Sequence, residues 1–179
     1  MLYVNLLDEK TAKPEGQEIL NKLKSKFGKI PNIYKAMSNS PVALKSLLEF
    51  RETLSKASFN PKEIETIALV TGEENSCGYC LAAHSAIAKS VGLKDEEVKS
   101  IRAINISDAK LMALADLTKE IVRSKGNPCK GRIEAFLNVG YSKEALIDLV
   151  AWVSLNIFTN YFNHIFETDI DFPKVSAIK

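Results

Sequence analysis

Two cysteines and a histidine lie close together in the stretch Ser76-Cys77-Gly78-Tyr79-Cys80-Leu81-Ala82-Ala83-His84. They are two of the three cysteines and one of the two histidines in the chain. If the stretch is helical, a rotation of about 100° per residue brings Cys77, Cys80 and His84 within an arc of about 60°. Two thiols and an imidazole then share one helix face, which is the composition of a redox-active dithiol that carries its own base.

The start of this helix bears on the acidity of the first thiol. We expect Ser76 to be the N-cap, with Asn75 as the alternative, because both side chains can accept a helix N–H. Cys77 would then lie in the first turn, where unpaired N–H groups and the helix dipole favour a thiolate. This gives Cys77 the lower pKa, whereas the position of His84 one turn beyond Cys80 favours Cys80 as the activated thiol. The sequence leaves the order of attack open, so the two thiols are assigned jointly.

The composition is that of one soluble globular domain. The 179 residues are 46% hydrophobic and 26% charged, which is enough for a substantial core, so residues 1–179 are treated as a single domain. The net charge of +2 is spread along the chain without a basic block. No nucleic-acid partner is therefore indicated.

Cysteine usage and hydropathy indicate a reducing location. A single CxxC pair with one further cysteine is unlike a secreted disulfide framework, and the N-terminus has no signal-peptide pattern. The longest apolar segment, residues 146–158, is too short for a membrane span and is interrupted by Asp148, Ser154 and Asn156. We therefore expect a cytoplasmic protein without a membrane partner.

Recurring helix-start signals predict an all-α protein. Pro14, Ser40-Pro41, Asn60-Pro61 and Ser142 each precede a stretch with apolar residues at helical spacing. No segment shows the period-two alternation of a strand bounded by hairpin turns. After an irregular lead-in over residues 1–13, the predicted helices cover about residues 14–27, 31–37, 41–56, 61–72, 77–91, 94–103, 108–125, 134–139 and 143–164.

A weak internal repeat links the two halves of the chain. Phe59-Asn60-Pro61-Lys62-Glu63 resembles Tyr141-Ser142-Lys143-Glu144 at an offset of 81 residues. The first copy carries the CxxC motif within residues 61–92. The second, about residues 142–165, would keep the helices and lose the thiols, with Phe158 in place of Cys77. Chance similarity is the alternative.

The last predicted helix is apolar on almost every side, and such a helix must be covered on every side. Two arrangements satisfy this requirement: a central position in the domain, or a face buried against another subunit. The sequence does not decide between them. The apolar residues are Leu146, Ile147, Leu149, Val150, Trp152, Val153, Leu155, Ile157, Phe158, Tyr161 and Phe162.

Glu65 is a further candidate for the site. It lies twelve positions before Cys77, among the apolar residues of the preceding helix. A partly buried carboxylate there could shuttle protons to the histidine. The alternative is a solvated glutamate on the polar side of that helix, which periodicity alone favours.

The pattern Glu65-x11-Cys77-x-x-Cys80-x-x-x-His84 resembles the alkyl hydroperoxidase D (AhpD)-like branch of the carboxymuconolactone decarboxylase family. The stretch Asn156-Ile157-Phe158-Thr159-Asn160-Tyr161-Phe162-Asn163-His164 and the closing Asp169-Ile170-Asp171-Phe172-Pro173 are similar to its peroxidase-related subgroup. The resemblance covers most of residues 15–173. Between the cysteines, where AhpD itself has a histidine, this chain has Tyr79.

The resemblance implies an all-α fold of helical-repeat origin and a homo-oligomer, whether dimer, trimer or hexamer. It also implies thiol-dependent peroxide chemistry of an antioxidant kind, without cofactor or metal. The implied catalytic residues are Cys77, Cys80, His84 and Glu65, with Tyr79 as a substrate-pocket candidate. The substrate would be a hydroperoxide or a disulfide of a partner protein. The electron donor would be a thiol, a dithiol or a partner redox protein.

Other interpretations of the motif remain open. Cys77, Cys80 and His84 could bind zinc, but no fourth ligand lies nearby in sequence, and Cys129 and His164 are distant. The dithiol could also be structural or redox-sensing in a non-catalytic helical oligomer. A decarboxylase is a weaker enzyme reading, because that branch lacks the CxxC. His164, with Asn160 and Asn163, is interpreted as a helix-end or interface residue, and Cys129 as a lone thiol.

Overall fold

A computed structural model describes residues 3–178, and all the regular secondary structure in this range is helical. Met1 and Leu2 of the predicted lead-in, and Lys179, lie outside the described residues; residues 3–13 are irregular, as predicted. Nine helices occur within the described range: α1 (Pro14–Phe27), α2 (Asn32–Met37), α3 (Pro41–Leu54), α4 (Pro61–Glu74), α5 (Gly78–Ser90), α6 (Asp95–Arg102), α7 (Ala109–Arg123), α8 (Lys130–Asn138) and α9 (Lys143–Phe166).

Helix starts follow the capping residues that the sequence offers. Ser40 accepts a hydrogen bond from the N–H of Ala43 at the start of α3. At the start of α4, Asn60 and Glu63 form a reciprocal capping box, in which each side chain accepts the other residue's backbone N–H. Gly28 ends α1 with a left-handed φ of 74°. The predicted all-α class is confirmed.

Two predicted helix starts are wrong. Helix α5 begins at Gly78, and its N-cap is Cys77 rather than Ser76 or Asn75. Ser76 instead has a φ of 55° and turns the chain sharply out of α4, whose C-cap is Asn75. Helix α8 begins at Lys130, four residues before the predicted Glu134, because its first turn is polar and carries no apolar periodicity.

Helix α4 is the enclosed helix of the domain. It packs against α5, α7 and α9, with a smaller contact to α6. Every residue from Glu65 to Gly72 is buried. Buried side chains on all faces of α4 therefore reflect its central position, and its polar residues are buried with the apolar ones.

Helix α9 packs against α3, α4, α5 and α7 but is not enclosed by the chain. The side exposed in the described structure is mainly apolar and carries Ile147, Val150, Phe158, Tyr161 and Ile165, with Ser154 among them. The sequence left open a central position in the domain for α9, but α4 occupies that position. By length and composition α9 is also the one helix in residues 3–178 that could cross a membrane. This is weak evidence of a membrane span, because core helices of globular domains meet the same criteria.

The internal repeat differs between its two segments. The first is broken into α4 and α5 at residues 75–77, whereas the second is the unbroken helix α9. Asn156, which corresponds to Asn75, is helical and donates its side-chain amide to the carbonyl of Trp152. The second segment therefore lacks the break between α4 and α5, because the turn at Ser76 has no counterpart in α9.

Candidate active site

Cys77 caps the helix that carries the other two residues of the motif. The turn at Ser76 lets the Cys77 N–H bond to the carbonyl oxygen of Gly72 at 2.8 Å, which closes the end of α4. The Cys77 sulfur then accepts the backbone N–H of Cys80 at 3.4 Å. A sulfur at an N-cap faces the positive end of the helix dipole, as the sequence argument required, although Cys77 lies one position earlier than predicted.

The two thiols are in contact and almost completely buried. Their sulfur atoms are 2.6 Å apart, and both cysteines are free. Cys77 is 0% exposed and Cys80 is 3% exposed. A disulfide bond is about 2.05 Å long, so only a small approach of the two sulfurs separates the dithiol from the disulfide. This geometry suits a dithiol that is oxidised and reduced without large rearrangement.

A proton shared between the two sulfurs influences which thiol becomes the first thiolate. The hydrogen bond between the two thiols lowers the pKa of Cys77 against the opposing effect of burial. The same hydrogen bond, together with burial, raises the pKa of Cys80. The contact between the thiols therefore favours Cys77 over Cys80 as the first thiolate.

We expect the variant Cys80→Ala to raise the pKa of Cys77, because it removes the thiol–thiol hydrogen bond that lowers this pKa and leaves burial, which disfavours the charged form. A lowered pKa means that the wild-type thiolate persists to lower pH. In the variant, thiolate should appear only at higher pH. Thiolate ultraviolet absorbance against pH measures this, with Cys129→Ala in both proteins to remove the exposed thiol. An unchanged midpoint would contradict the assignment of charge to Cys77.

His84, which is partly exposed, pairs with the buried Glu65 between α5 and α4. The His84 Nδ1 and Glu65 Oε2 atoms are 2.8 Å apart, and Glu65 is only 3% exposed. The interpretation of Glu65 as a solvated glutamate, which periodicity favoured, is therefore wrong. Helix α4 is central, so other helices cover every face near this residue. A carboxylate accepts the Nδ1–H and leaves Nε2 of His84 free to take up a proton.

A cavity of about 1360 Å³ gives access to part of this group. Helices α1, α3, α5 and α9 supply most of its walls, and Cys80 and His84 both line it. Cys77 is not among the lining residues. Of the two cysteines, Cys80 is thus the one that lines the cavity. Other lining residues are Tyr79, Ala83, Trp152, Leu155, Asn156, Asn163 and Phe172.

Two asparagines of α9 belong to the site, contrary to their interpretation as helix-end or interface residues. Asn163 Nδ2 donates to the Cys80 sulfur at 3.3 Å. Asn160 accepts the side-chain amide of Asn75 at 2.9 Å. The available signal was the spacing of Asn156, Asn160 and Asn163 on one face of an apolar helix, since buried amides need partners.

The other histidine and cysteine lie away from the dithiol. His164 and Cys129 are both exposed. Within residues 3–178, no group of three or more His, Cys, Asp or Glu side chains is arranged to hold a metal ion. The structure thus brings together Cys77, Cys80, His84 and Glu65 of the predicted site, with Tyr79 in the cavity wall.

Tyr79 connects the site to the C-terminal segment. Its hydroxyl accepts the backbone N–H of Ile33 at 3.2 Å and donates to Asp171 Oδ1 at 2.8 Å. Its ring meets Phe172 edge-on, with centroids 5.8 Å apart. Burial raises the pKa of Tyr79. The hydroxyl is already engaged in the protein, so Tyr79 holds residues 168–173 against the cavity rather than offering a free donor to a substrate.

Removing this hydroxyl should destabilise the protein. In Tyr79→Phe, the Asp171 carboxylate and the Ile33 N–H lose their shared partner, at a cost of about 1–3 kcal/mol in the free energy of unfolding. Urea denaturation would measure the change. Tyr161→Phe is the matched control, because its ring is exposed and its loss should leave stability unchanged. Equal stability of the two variants would show that the Tyr79 hydrogen bonds contribute nothing.

Residues 41–120, which include both thiols, Glu65 and His84, match the carboxymuconolactone decarboxylase family. No curated protein matches the chain. Among solved structures, a peroxidase-related protein from Ralstonia eutropha JMP134, described as an alkylhydroperoxidase AhpD core, is 16% identical with a TM-score of 0.84, over 93% of this chain and 90% of that one.

Two further solved structures show the same fold. A peroxidase-related protein from Silicibacter sp. TM1040 is 21% identical with a TM-score of 0.79, over 92% of this chain and 90% of that one. The debrominase Bmp8 is 19% identical with a TM-score of 0.80, over 96% of this chain and 93% of that one. The chain is thus similar to the carboxymuconolactone decarboxylase family over residues 41–120, and it shares its helical fold with these solved structures.

Proposed function

We propose that the protein is a thiol-dependent peroxidase in which Cys77 and Cys80 cycle between dithiol and disulfide. One observation carries the proposal: two free thiols with sulfurs 2.6 Å apart, one of them facing a cavity that His84 also lines. The debrominase Bmp8 has the same fold, so the fold alone does not select the reaction. The paired thiols and their base support peroxide chemistry.

The first step prepares the nucleophile. The free Nε2 of His84 takes one proton from the thiol pair, and Glu65 stabilises the imidazolium that forms. The remaining proton is shared between the sulfurs, and the charge lies mainly on Cys77. Transfer of that proton to Cys77 leaves a thiolate on Cys80, towards which Asn163 donates an N–H. We assign the attack to Cys80 because it faces the cavity.

Peroxide reduction then balances as follows. The Cys80 thiolate attacks the distal oxygen of R–O–O–H, so that an S–O bond forms and the O–O bond breaks. The sulfur is oxidised by two electrons, and the departing alkoxide takes the proton held by His84 to become an alcohol. The Cys77 thiol attacks the sulfenic acid on Cys80, and its proton leaves with the hydroxide as water. A disulfide between Cys77 and Cys80 remains.

A thiol donor resets the enzyme. A donor thiolate attacks the disulfide to form a mixed disulfide, and a second donor thiol releases the reduced protein and takes up the oxidation. A dithiol, whether a small molecule or a partner redox protein, supplies both electrons. The buried sulfurs support a further part of the proposal, a reducing, cytoplasmic location. The exposed apolar side of α9 supports another part, a homo-oligomer assembled through α9.

Turnover with a purified donor tests this function. Metal-free protein is mixed with an organic hydroperoxide and dithiothreitol, and hydroperoxide consumption is followed. We expect catalytic consumption by the wild type and by Cys129→Ser, since Cys129 is exposed and outside the site. Folded, fully reduced protein that consumes neither hydrogen peroxide nor an organic hydroperoxide would contradict the proposal. Thiols that react only after a metal is stripped would favour a zinc site instead.

A further inference from the structure

We propose that Asn163 positions the attacking thiol and the substrate together, so that the site selects electrophiles carrying a hydrogen-bond donor on the attacked atom. This role rests on the proposed peroxidase function and narrows its substrate class to hydroperoxides, R–O–O–H, over disulfides. The selection follows from the two chemically different ends of one buried side-chain amide on α9.

The nitrogen end of the amide contacts the sulfur. Asn163 Nδ2 donates to the Cys80 sulfur at 3.3 Å, and the residue is buried. A donor of this kind interacts more strongly with a thiolate than with a thiol. Burial and the neighbouring Cys77 sulfur both oppose charge on Cys80. Asn163 acts in the other direction and favours charge on Cys80, whose sulfur it contacts.

The oxygen end of the amide is unsatisfied. Asn163 Oδ1 is buried and has no hydrogen-bond partner within residues 3–178. A buried acceptor without a partner costs free energy and calls for an explanation. Asn163 and Cys80 both line the cavity. Because Nδ2 of this amide contacts the Cys80 sulfur, a group that reaches the sulfur also comes within reach of Oδ1.

A hydroperoxide supplies the missing donor at the right atom. Its hydrogen is on the distal oxygen, which is the oxygen that the sulfur attacks. Donation of that O–H to Asn163 Oδ1 would hold the distal oxygen beside the Cys80 sulfur. A disulfide has no such hydrogen and would leave Oδ1 unpaired. A buried polar group discriminates in this way against substrate analogues that lack its hydrogen-bond partner.

The two neighbouring amides on the same helix make different contacts. The Oδ1 atom of Asn160 already accepts the Asn75 side chain at 2.9 Å. Asn156 uses its Nδ2 to bond the carbonyl of Trp152 at 2.8 Å. Asn156 is as deeply buried as Asn163 and lies two turns earlier, so it offers a matched control for the loss of a buried amide.

The test compares two oxidants on the same reduced protein, in a Cys129→Ser background. Second-order rate constants are measured for an organic hydroperoxide and for a small aromatic disulfide, using wild type, Asn163→Leu and Asn156→Leu. Leucine matches the shape of asparagine and removes both ends of the amide. We expect the hydroperoxide constant of Asn163→Leu to fall about 10–100-fold further than its disulfide constant. The ratio of the two constants should be unchanged in Asn156→Leu.

Equal falls for the two oxidants in Asn163→Leu would overturn the inference, because Asn163 would then act on the thiolate alone. A wild type that fails to react with hydroperoxide would instead overturn the proposed function. Circular dichroism shows whether Asn163→Leu is folded. If it is not folded, the ratio of the hydroperoxide and disulfide rate constants is measured in Asn163→Ala instead, and equal falls in the two constants again overturn the inference.

Discussion

Replacing either cysteine of the pair should abolish peroxide turnover, and the two variants should fail at different steps. Cys80→Ser removes the sulfur that faces the cavity, so we expect no first oxidation and a loss of at least about 10³-fold in turnover. Cys77→Ser retains this nucleophile but lacks the thiol that resolves the sulfenic acid. With no thiol donor added, we expect it to consume one equivalent of hydroperoxide and then stop, with a sulfenic acid on Cys80.

Steady-state consumption of hydroperoxide and sulfenic-acid labelling followed by peptide mapping distinguish these outcomes. Cys129→Ser is the control and should behave as the wild type. The opposite result, a sulfenic acid on Cys77 in the Cys80→Ser variant, would reverse the order of attack. Such a result would mean that the lower pKa of Cys77 matters more than the access of Cys80 to the cavity.

Removing the base should have the second largest effect. His84→Gln loses the Nε2 that takes up the thiol proton, so we expect the rate of oxidation by hydroperoxide to fall by about 10²–10⁴-fold near neutral pH. The loss should shrink as pH rises, because hydroxide then generates the thiolate without the imidazole. A pH profile of the oxidation rate constant measures both effects.

Glu65→Gln should have a smaller effect in the same direction. Glutamine can still accept the His84 Nδ1–H, but it lacks the negative charge that stabilises the imidazolium. His164→Gln is the control for both variants, since His164 is exposed on α9, and its rate should be unchanged. If the His84→Gln loss were the same at every pH, His84 would be a structural residue and not the base.

Much of the fold could be predicted because its signals are local. Three predicted N-cap residues cap their helices as expected, namely Ser40, Asn60 and Ser142. The spacing of Cys77, Cys80 and His84 likewise places all three on or at the start of one helix. The capping rules were less successful at Ser76. Its φ of 55° comes from the sharp connection between two packed helices. The need for such a sharp turn arises from tertiary packing, so local capping rules do not predict it.

The missed parts of the site depend on contacts between distant segments. Periodicity placed Glu65 in solvent, because the pattern of one helix does not reveal that other helices surround it. Asn163 lies 83 residues from Cys80 and reaches its sulfur only through the packing of α9 against α5. Asp171 meets Tyr79 across 92 residues for the same reason. Local sequence gives the chemistry of the thiols, whereas the tertiary fold supplies the groups that tune them.

The central claim is that hydroperoxide converts the Cys77–Cys80 dithiol into a disulfide. The most direct test is the intact mass of reduced, metal-free protein before and after one equivalent of hydroperoxide, followed by peptide mapping. We predict a loss of two hydrogens, about 2 Da, with a cross-link between Cys77 and Cys80 that a dithiol reverses. An unchanged mass, with both thiols still free in folded protein, would contradict the account and indicate a structural dithiol.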